Sequence, residues 1–329
     1  MSADNSRAVG PVAEQFAGAS FARTARRLFH ATRPKFFPAS VLPVLVGTAW
    51  GGAMAGRLDI PVFLLALFAT VCVHFGANVL NDVGDEAIGT DRRNEQRIYP
   101  YTGGSRFIQA GIMSSAAMAR LGSALLALAA VAGALLLWLA GPLVLAFGFA
   151  GVLLAVLYSL GPLRLSTLGL GEVAVGVGLG VLPVTGAAWL QTGELGADLL
   201  LFSLPVSAWV AAILLINEVP DIEADAATGK RTLPVRFGLR GTAGIYVGLH
   251  LSALLVTAWL GFAGPLPLLS PVGPLLLFVL ALKASRSILR GVDDRAGMTA
   301  AIEATLGIHT LGSLWLVGIM AWLAFFGGA

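Results

Sequence analysis

Nine long apolar stretches occupy most of the 329-residue sequence and limit its possible folds more than any other feature. They cover roughly residues 38–56, 60–81, 115–140, 143–160, 170–190, 199–218, 241–263, 268–285 and 303–326. A helix that crosses a bilayer needs about 20 mostly apolar residues, which is close to the length of each stretch. Helices satisfy their own backbone hydrogen bonds inside lipid. The sequence therefore predicts an all-α, multi-pass membrane bundle of nine transmembrane helices.

The composition agrees with a membrane protein. Hydrophobic residues make up 57% of the chain and charged residues only 12%, whereas a soluble domain carries about 25% charged residues. The net charge of +3 is too small to indicate a nucleic-acid partner, so the expected partner is the lipid bilayer. We expect residues 1–35 to form an N-terminal arm and residues 36–329 to form a single transmembrane domain.

The basic residues predict the orientation of the bundle. Lysine and arginine are enriched in cytoplasmic loops. If the N-terminus is cytoplasmic, nine spans place every lysine and arginine except Arg57 on the cytoplasmic side. We therefore expect an integral protein of a bacterial inner membrane, with the N-terminus and the polar loops in the cytoplasm. Within the arm, residues 21–29 are basic and amphipathic, which indicates an interfacial helix.

Two short acidic stretches, residues 78–91 and 217–232, interrupt the apolar pattern. A carboxylate near bilayer depth is costly unless a cation, a water-filled cavity or a function compensates for it. The stretches follow the second and the sixth predicted helices, which indicates a pseudo-repeat of two four-helix halves plus one further helix. Since repeats of this kind place a site between the halves, we expect one shared site.

Oxygen-bearing side chains recur at helical spacing within each acidic stretch. Asn81 and Asp85 are four residues apart, and Asn217, Asp221 and Asp225 continue the same interval, so each set would lie along one helix face. Mg²⁺ binds one or two carboxylates together with substrate phosphates. We therefore predict that these five residues bind Mg²⁺. A solvated loop would explain either stretch alone, but two matched rows favour a site.

Taken in order along the chain, these motifs resemble those of the UbiA superfamily of intramembrane aromatic prenyltransferases. Asn81 and Asp85 are similar to the family's Asn-x-x-x-Asp motif, and Asp221 and Asp225 are similar to its Asp-x-x-x-Asp motif. Further similarity lies in residues 33–35, 102–106, 158–162, 169–172 and 229–238. The resemblance extends over about residues 30–326.

Gly89 and Asp91, which follow Asp85, resemble the 1,4-dihydroxy-2-naphthoate polyprenyltransferase branch of menaquinone biosynthesis. Glu218 and the Val83-Gly84 pair depart from that pattern. The resemblance implies Mg²⁺-dependent transfer of a polyprenyl chain from polyprenyl diphosphate to an aromatic acceptor, here 1,4-dihydroxy-2-naphthoate. Alternative acceptors are 4-hydroxybenzoate, homogentisate, haem and chlorophyllide. A cation-coupled transporter is an alternative from another class.

The expected site residues fall into two further groups. Basic side chains beside the acidic stretches are suited to phosphate oxygens, and the resemblance adds other positions near the pocket. The predicted catalytic residues are Asp82, Asp85, Asp221 and Asp225. The predicted substrate-binding residues are Asn78, Lys35, Arg92, Arg93, Arg106, Tyr158, Arg164, Lys230 and Arg231.

Overall fold

The computed structural model describes residues 10–159 and 163–326, and all regular secondary structure in these residues is helical. The all-α fold class is therefore confirmed. Seven segments of the described chain are long and apolar enough to cross a membrane: Pro34–Ala55, Ile60–Ile88, Ser115–Ala140, Gly171–Thr192, Ala197–Asn217, Leu233–Phe262 and Val272–Phe326. This count omits the shorter apolar helix Leu143–Ser159 and takes Val272–Phe326 as one segment. Nine spans and the two four-helix halves therefore stay predictions.

The helices are numbered here in chain order. They are α1 (Phe21–Ala31), α2 (Pro38–Ala55), α3 (Ile60–Ile88), α4 (Thr90–Arg93), α5 (Ser115–Ala140), α6 (Leu143–Ser159), α7 (Gly171–Val175), α8 (Leu182–Thr192), α9 (Ala197–Asn217), α10 (Ile222–Ala227), α11 (Leu233–Phe262), α12 (Val272–Arg290) and α13 (Arg295–Phe326). A π-helical stretch, Gly176–Val181, joins α7 to α8. The 3₁₀ turn Gly291–Asp294 joins α12 to α13.

Helix α3 is longer than the apolar stretch that predicts it. Its start is capped by Asp59, whose Oδ1 accepts a hydrogen bond from the N–H of Val62 at 3.1 Å, as is typical of an N-cap. Gly89 ends the helix with a φ of 81°, a conformation that glycine adopts without steric cost. The additional turns carry Asp85 on the same helix as Asn81, so the first oxygen row lies on a regular helix, as its spacing predicts.

The second oxygen row does not lie on one continuous helix, and this part of the prediction is wrong. Helix α9 ends at Asn217, a turn follows, and α10 begins at Ile222. Pro220 lies in this turn, and its ring removes the backbone N–H that an α-helix would need there. Asp221 therefore stands between two helices, at the N-cap of α10.

Helix α9 occupies the centre of the bundle and packs against α11 and α13. Its side chains Phe202, Val206 and Trp209 are buried in the core. Gly312 of α13 lies against Trp209, where a Cβ would come within 2.6 Å of the ring. Small residues permit such close helix packing in membranes. As a result, the C-terminal end of α9 emerges in the middle of one end of the bundle.

Candidate functional site

One cavity at this end of the bundle is lined by residues from both acidic stretches. The first stretch contributes Asn81 and Asp85, and the second contributes Asn217, Asp221 and Asp225. The break in the second row does not remove any of its three members from the cavity, since Asn217, Asp221 and Asp225 all line it. The structure thus brings both rows to one space.

A buried lysine lies between the two rows. Nζ of Lys230 is 2.6 Å from Oδ1 of Asp85 and 3.4 Å from Oδ1 of Asp225. Its side chain is only 8% exposed, so the ammonium group is removed from water. A charge placed so deeply is stable only with compensating partners, and here one partner comes from each row.

The irregular loop of residues 94–106 crosses over the cavity and contacts the second row. Nδ2 of Asn94 donates to Oδ1 of Asp221 at 2.6 Å, and the N–H of Gly103 donates to Oδ2 of the same carboxylate at 3.4 Å. Both oxygens of Asp221 are therefore held by this loop. Thr90 and Thr228 add a further link, with their hydroxyl oxygens 2.8 Å apart.

The same loop is attached to the first row through Asp82. The carboxylate of Asp82 pairs with the guanidinium of Arg33 and accepts hydrogen bonds from the N–H and hydroxyl of Ser105. Asp82 is 2% exposed and does not line the cavity. Its contacts fit a residue that fixes the loop and Arg33, and the catalytic role predicted for it stays a prediction.

Three carboxylates of the site that lie outside the candidate spans have raised pKa values. Burial, followed by the charge of Asp85, raises the pKa of Asp91 to about 7. Burial also raises the pKa of Asp225 to about 7, although the charge of Lys230 opposes this effect. The pKa of Asp221 is raised as well, again mainly by burial. Burial is the largest cause of all three shifts, and a cation bound beside these carboxylates would favour their charged forms.

The donor set suits Mg²⁺ completed by other ligands. Among the described residues, no group of three histidine, cysteine, aspartate or glutamate side chains is arranged to hold a metal alone. The two rows instead offer amide and carboxylate oxygens, and Oδ1 of Asn217 is buried without a hydrogen-bond partner in the described chain. Mg²⁺ commonly uses a few protein oxygens and takes the rest from phosphates and water.

The deeper wall of the cavity is apolar. It is formed by residues of α6, the π-helical stretch and α9, namely Leu154, Ala155, Gly178, Leu179, Val210, Ile213 and Leu214. The cavity therefore has a polar end with charged groups and an apolar end without them. A ligand with a charged head and a hydrocarbon tail would match both ends.

The predicted substrate-binding residues divide into two sets. Three of them line the cavity, namely Asn78, Tyr158 and Lys230. Six do not line it, namely Lys35, Arg92, Arg93, Arg106, Arg164 and Arg231. Of the six, Arg92 is exposed and pairs with Glu86, and Arg106 donates to the backbone oxygen of Asp91. Their predicted contact with substrate stays a prediction. Residues 160–162 of the predicted motif 158–162 lie outside the described residues.

Several residues that line the cavity were not among the predicted site residues, including Arg33, Asn94 and Tyr101, although Arg33 lies in the motif of residues 33–35. Arg33 has a left-handed backbone with a φ of 59°, which turns the chain towards the cavity between α1 and α2. The hydroxyl of Tyr101 donates to Oε1 of Glu303 on α13 at 2.8 Å. The sequence did offer one signal for the loop, namely the glycine pair Gly103 and Gly104 in the 102–106 motif. Two glycines permit a backbone to pass close to charged groups.

Comparison with known proteins identifies the family. The model of the UbiA prenyltransferase family matches residues 40–302, which include both oxygen rows and the cavity wall. The chain therefore belongs to the UbiA prenyltransferase family and is a membrane-embedded prenyltransferase.

Individual relatives agree with this assignment. The 1,4-dihydroxy-2-naphthoate octaprenyltransferase of Escherichia coli K12 is 31% identical over 87% of this chain and 92% of its own length. The enzyme with the same name from Mycobacterium tuberculosis is 31% identical over 89% of this chain and 95% of its own. A UbiA homolog from Archaeoglobus fulgidus, solved with GPP and Mg²⁺, has the same fold, with a TM-score of 0.60 and 14% identity over 88% of this chain and 99% of its own.

Proposed function

We propose that this prenyltransferase transfers a polyprenyl chain from polyprenyl diphosphate to 1,4-dihydroxy-2-naphthoate, as in menaquinone biosynthesis, with Mg²⁺ as cofactor. The observation that carries the proposal is the convergence of Asn81, Asp85, Asn217, Asp221 and Asp225 on a cavity with an apolar inner wall. The acceptor is proposed because relatives that match most of the chain carry this activity in their names. The metal is proposed from the donor set and from the Archaeoglobus homolog.

The two oxygen rows would hold Mg²⁺ with the diphosphate between them. When bound, the metal neutralises the charge that develops on the departing diphosphate. Lys230 and Arg33 line the same polar end and can donate charge-assisted hydrogen bonds to phosphate oxygens. Nε of Arg33 is buried and has no hydrogen-bond partner among the described residues.

The reaction we propose begins with breakage of the allylic C–O bond, and the diphosphate leaves with both bonding electrons. Preorganised charges that stabilise the leaving group supply most of the acceleration. A ring carbon of the acceptor then provides the electron pair for the new C–C bond. Loss of a proton from that carbon, or of its carboxylate as CO₂, returns the electrons of the broken bond to the ring, which becomes aromatic again. The apolar wall holds the tail and keeps water from the allylic cation.

The membrane arrangement is part of the proposal. Nine spans would result if α6 crosses the bilayer and if α12 and α13 cross it separately. The distribution of lysine and arginine then favours a cytoplasmic N-terminus and a cytoplasmic site. We propose a bacterial inner membrane as the location. There the enzyme would meet a polyprenyl donor in the lipid and a soluble naphthoate acceptor in the cytoplasm.

The test is an assay of the purified protein in detergent with polyprenyl diphosphates and a panel of aromatic acceptors. We expect a prenylated product from 1,4-dihydroxy-2-naphthoate with Mg²⁺ and none after chelation with EDTA. Faster turnover of 4-hydroxybenzoate or homogentisate would reassign the acceptor. Absence of product with every acceptor, together with cation flux in liposomes, would contradict the proposed reaction and favour a cation-coupled transporter.

A further inference from the structure

Helix α1 presents an apolar face with large exposed side chains. At about 100° per residue, Phe21, Ala25 and Leu28 lie on one side of the helix and Phe29 lies at its edge. Phe21 is 90% exposed, Phe29 is 54% exposed and Leu28 is 36% exposed. Burial of such side chains is worth about 1.5–3 kcal/mol each, so this face is suited to an apolar environment outside the bundle.

The opposite face of α1 is basic. The helix contains Arg23, Arg26 and Arg27 and no carboxylate. Arg23, Arg26 and His30 are exposed, whereas Nη1 of Arg27 turns inward and donates to the backbone oxygen of Phe16 at 3.3 Å. The side chains of Arg23 and Arg26 have a backbone oxygen and an aromatic ring as their partners in the described chain, so these charges favour an anionic partner outside it.

The position of α1 places these two faces at the polar end of the bundle. Ala31 at its end and Phe16 before it pack with Val79 of α3 and Met118 of α5. Val79 lies beside the first oxygen row, so α1 flanks the same end as the cavity. Since α3 and α5 are candidate membrane spans, α1 lies where their apolar surface gives way to polar residues.

We propose that α1 is an in-plane anchor that binds an anionic phospholipid surface. Its apolar face enters the acyl-chain border, while Arg23 and Arg26 contact headgroup phosphates. Amphipathic helices with a basic polar face bind in this way, and each basic residue near an anionic surface strengthens binding. The charge and the exposed aromatic side chains both favour lipid over a second protein.

The anchor is connected directly to the cavity. The backbone oxygen of Thr32, immediately after α1, accepts a hydrogen bond from Nδ2 of Asn78 at 3.3 Å. Arg33 follows and pairs with Asp82. Lipid binding by α1 would therefore hold the segment from which Arg33 enters the cavity. The proposal does not depend on which acceptor the enzyme uses.

The test places a spin label on each face of α1 in the full-length protein. Cys72 is the single cysteine and is buried, so a Cys72→Ser background permits labelling of Phe21→Cys or His30→Cys. Position 21 lies on the apolar face, and position 30 lies on the basic face as its matched control. The protein is placed in nanodiscs of phosphatidylcholine with or without phosphatidylglycerol. Collision with oxygen reports contact with lipid, and collision with a nickel chelate reports contact with water.

With phosphatidylglycerol, we expect the label at position 21 to collide with oxygen and the label at position 30 with nickel. Arg26→Gln should shift the ratio of bound to released α1 by about fivefold towards release. Equal nickel access at both positions in the anionic nanodiscs would overturn the proposal. Shielding of position 21 from both probes, found only in nanodiscs with two copies of the protein, would also overturn it and assign the face to a second copy.

Discussion

The ammonium group of Lys230 lies 2.6 Å from Oδ1 of Asp85, although the two residues belong to different acidic stretches. The contact places a protein cation between the oxygen rows, where the proposed metal and diphosphate would bind. Burial lowers the pKa of Lys230, but the charges of Asp85 and Asp225 outweigh burial and raise it. Lys230 therefore stays charged and acts as the internal counter-ion of the site.

Substitution of this lysine tests the counter-ion role. Lys230→Met leaves Asp85 and Asp225 without their buried partner, so we expect the free energy of unfolding in EDTA to fall by about 3 kcal/mol. Added Mg²⁺ should restore more stability to the variant than to the wild type, since the metal then meets uncompensated carboxylates. Thermal unfolding with and without Mg²⁺ measures both effects. Lys283→Met, at an exposed position of α12, is the control, and an equal response of both variants would contradict the role.

Loss of one carboxylate from either row should abolish turnover while the protein still folds. We expect Asp85→Ala and Asp221→Ala each to lower kcat by about 100-fold or more, because each removes charge that holds the metal and the leaving group. Glu223→Gln is the matched control, since Glu223 is exposed beside the second row. Turnover by the purified variants, with size-exclusion profiles as a check of folding, is the measurement. Full activity of both alanine variants would refute the assigned roles.

Asp91 should make the stability of the metal-free protein fall as the pH rises. Burial and the charge of Asp85 raise its pKa from the ordinary value of 3.8 to about 7. Between these values the folded state keeps a proton that the unfolded state has lost, so a rise in pH favours unfolding. The side chain of the Asp91→Asn variant cannot ionise. Its free energy of unfolding should therefore change less steeply with pH than that of the wild type, by up to about 1.4 kcal/mol per pH unit. Unfolding in EDTA across this range tests the difference, and parallel profiles would show that Asp91 is not protonated.

The glycine pair offers a test of the loop that covers the cavity. A Cβ on Gly104 would lie 2.7 Å from Oδ2 of Asp91 and 3.1 Å from Oδ1 of Asp82. Gly111 has a similar φ of 69° but no atom within 4 Å of the corresponding position. Both alanine variants should therefore lose about 1 kcal/mol through backbone strain. Only Gly104→Ala should lose stability beyond this amount, which unfolding curves would measure. It alone should also lose turnover in the prenylation assay. Equal losses would mean that the close approach is unimportant.

Sequence periodicity predicted the first oxygen row more accurately than the second. Asn81 and Asp85 lie on α3 as their spacing requires, because i and i+4 positions share a helix face without help from the rest of the fold. The same rule failed for Asp221, since Pro220 ends the helix before it and tertiary contacts from Asn94 set its position instead. Arg92 is a second example in which local sequence was not sufficient. It lies close to the first acidic stretch in the sequence, but its side chain does not line the cavity.

The sequence alone determined that the chain is a helical membrane bundle and that two acidic stretches stand at helix ends. Both properties are local, because apolar length and helical spacing are sufficient to specify them. Only the tertiary structure decided that Lys230 lies between the rows, that Arg33 lines the cavity and that the loop 94–106 holds Asp221. These contacts join residues far apart in the chain, and their formation depends on how the helices pack around α9, which no local spacing encodes.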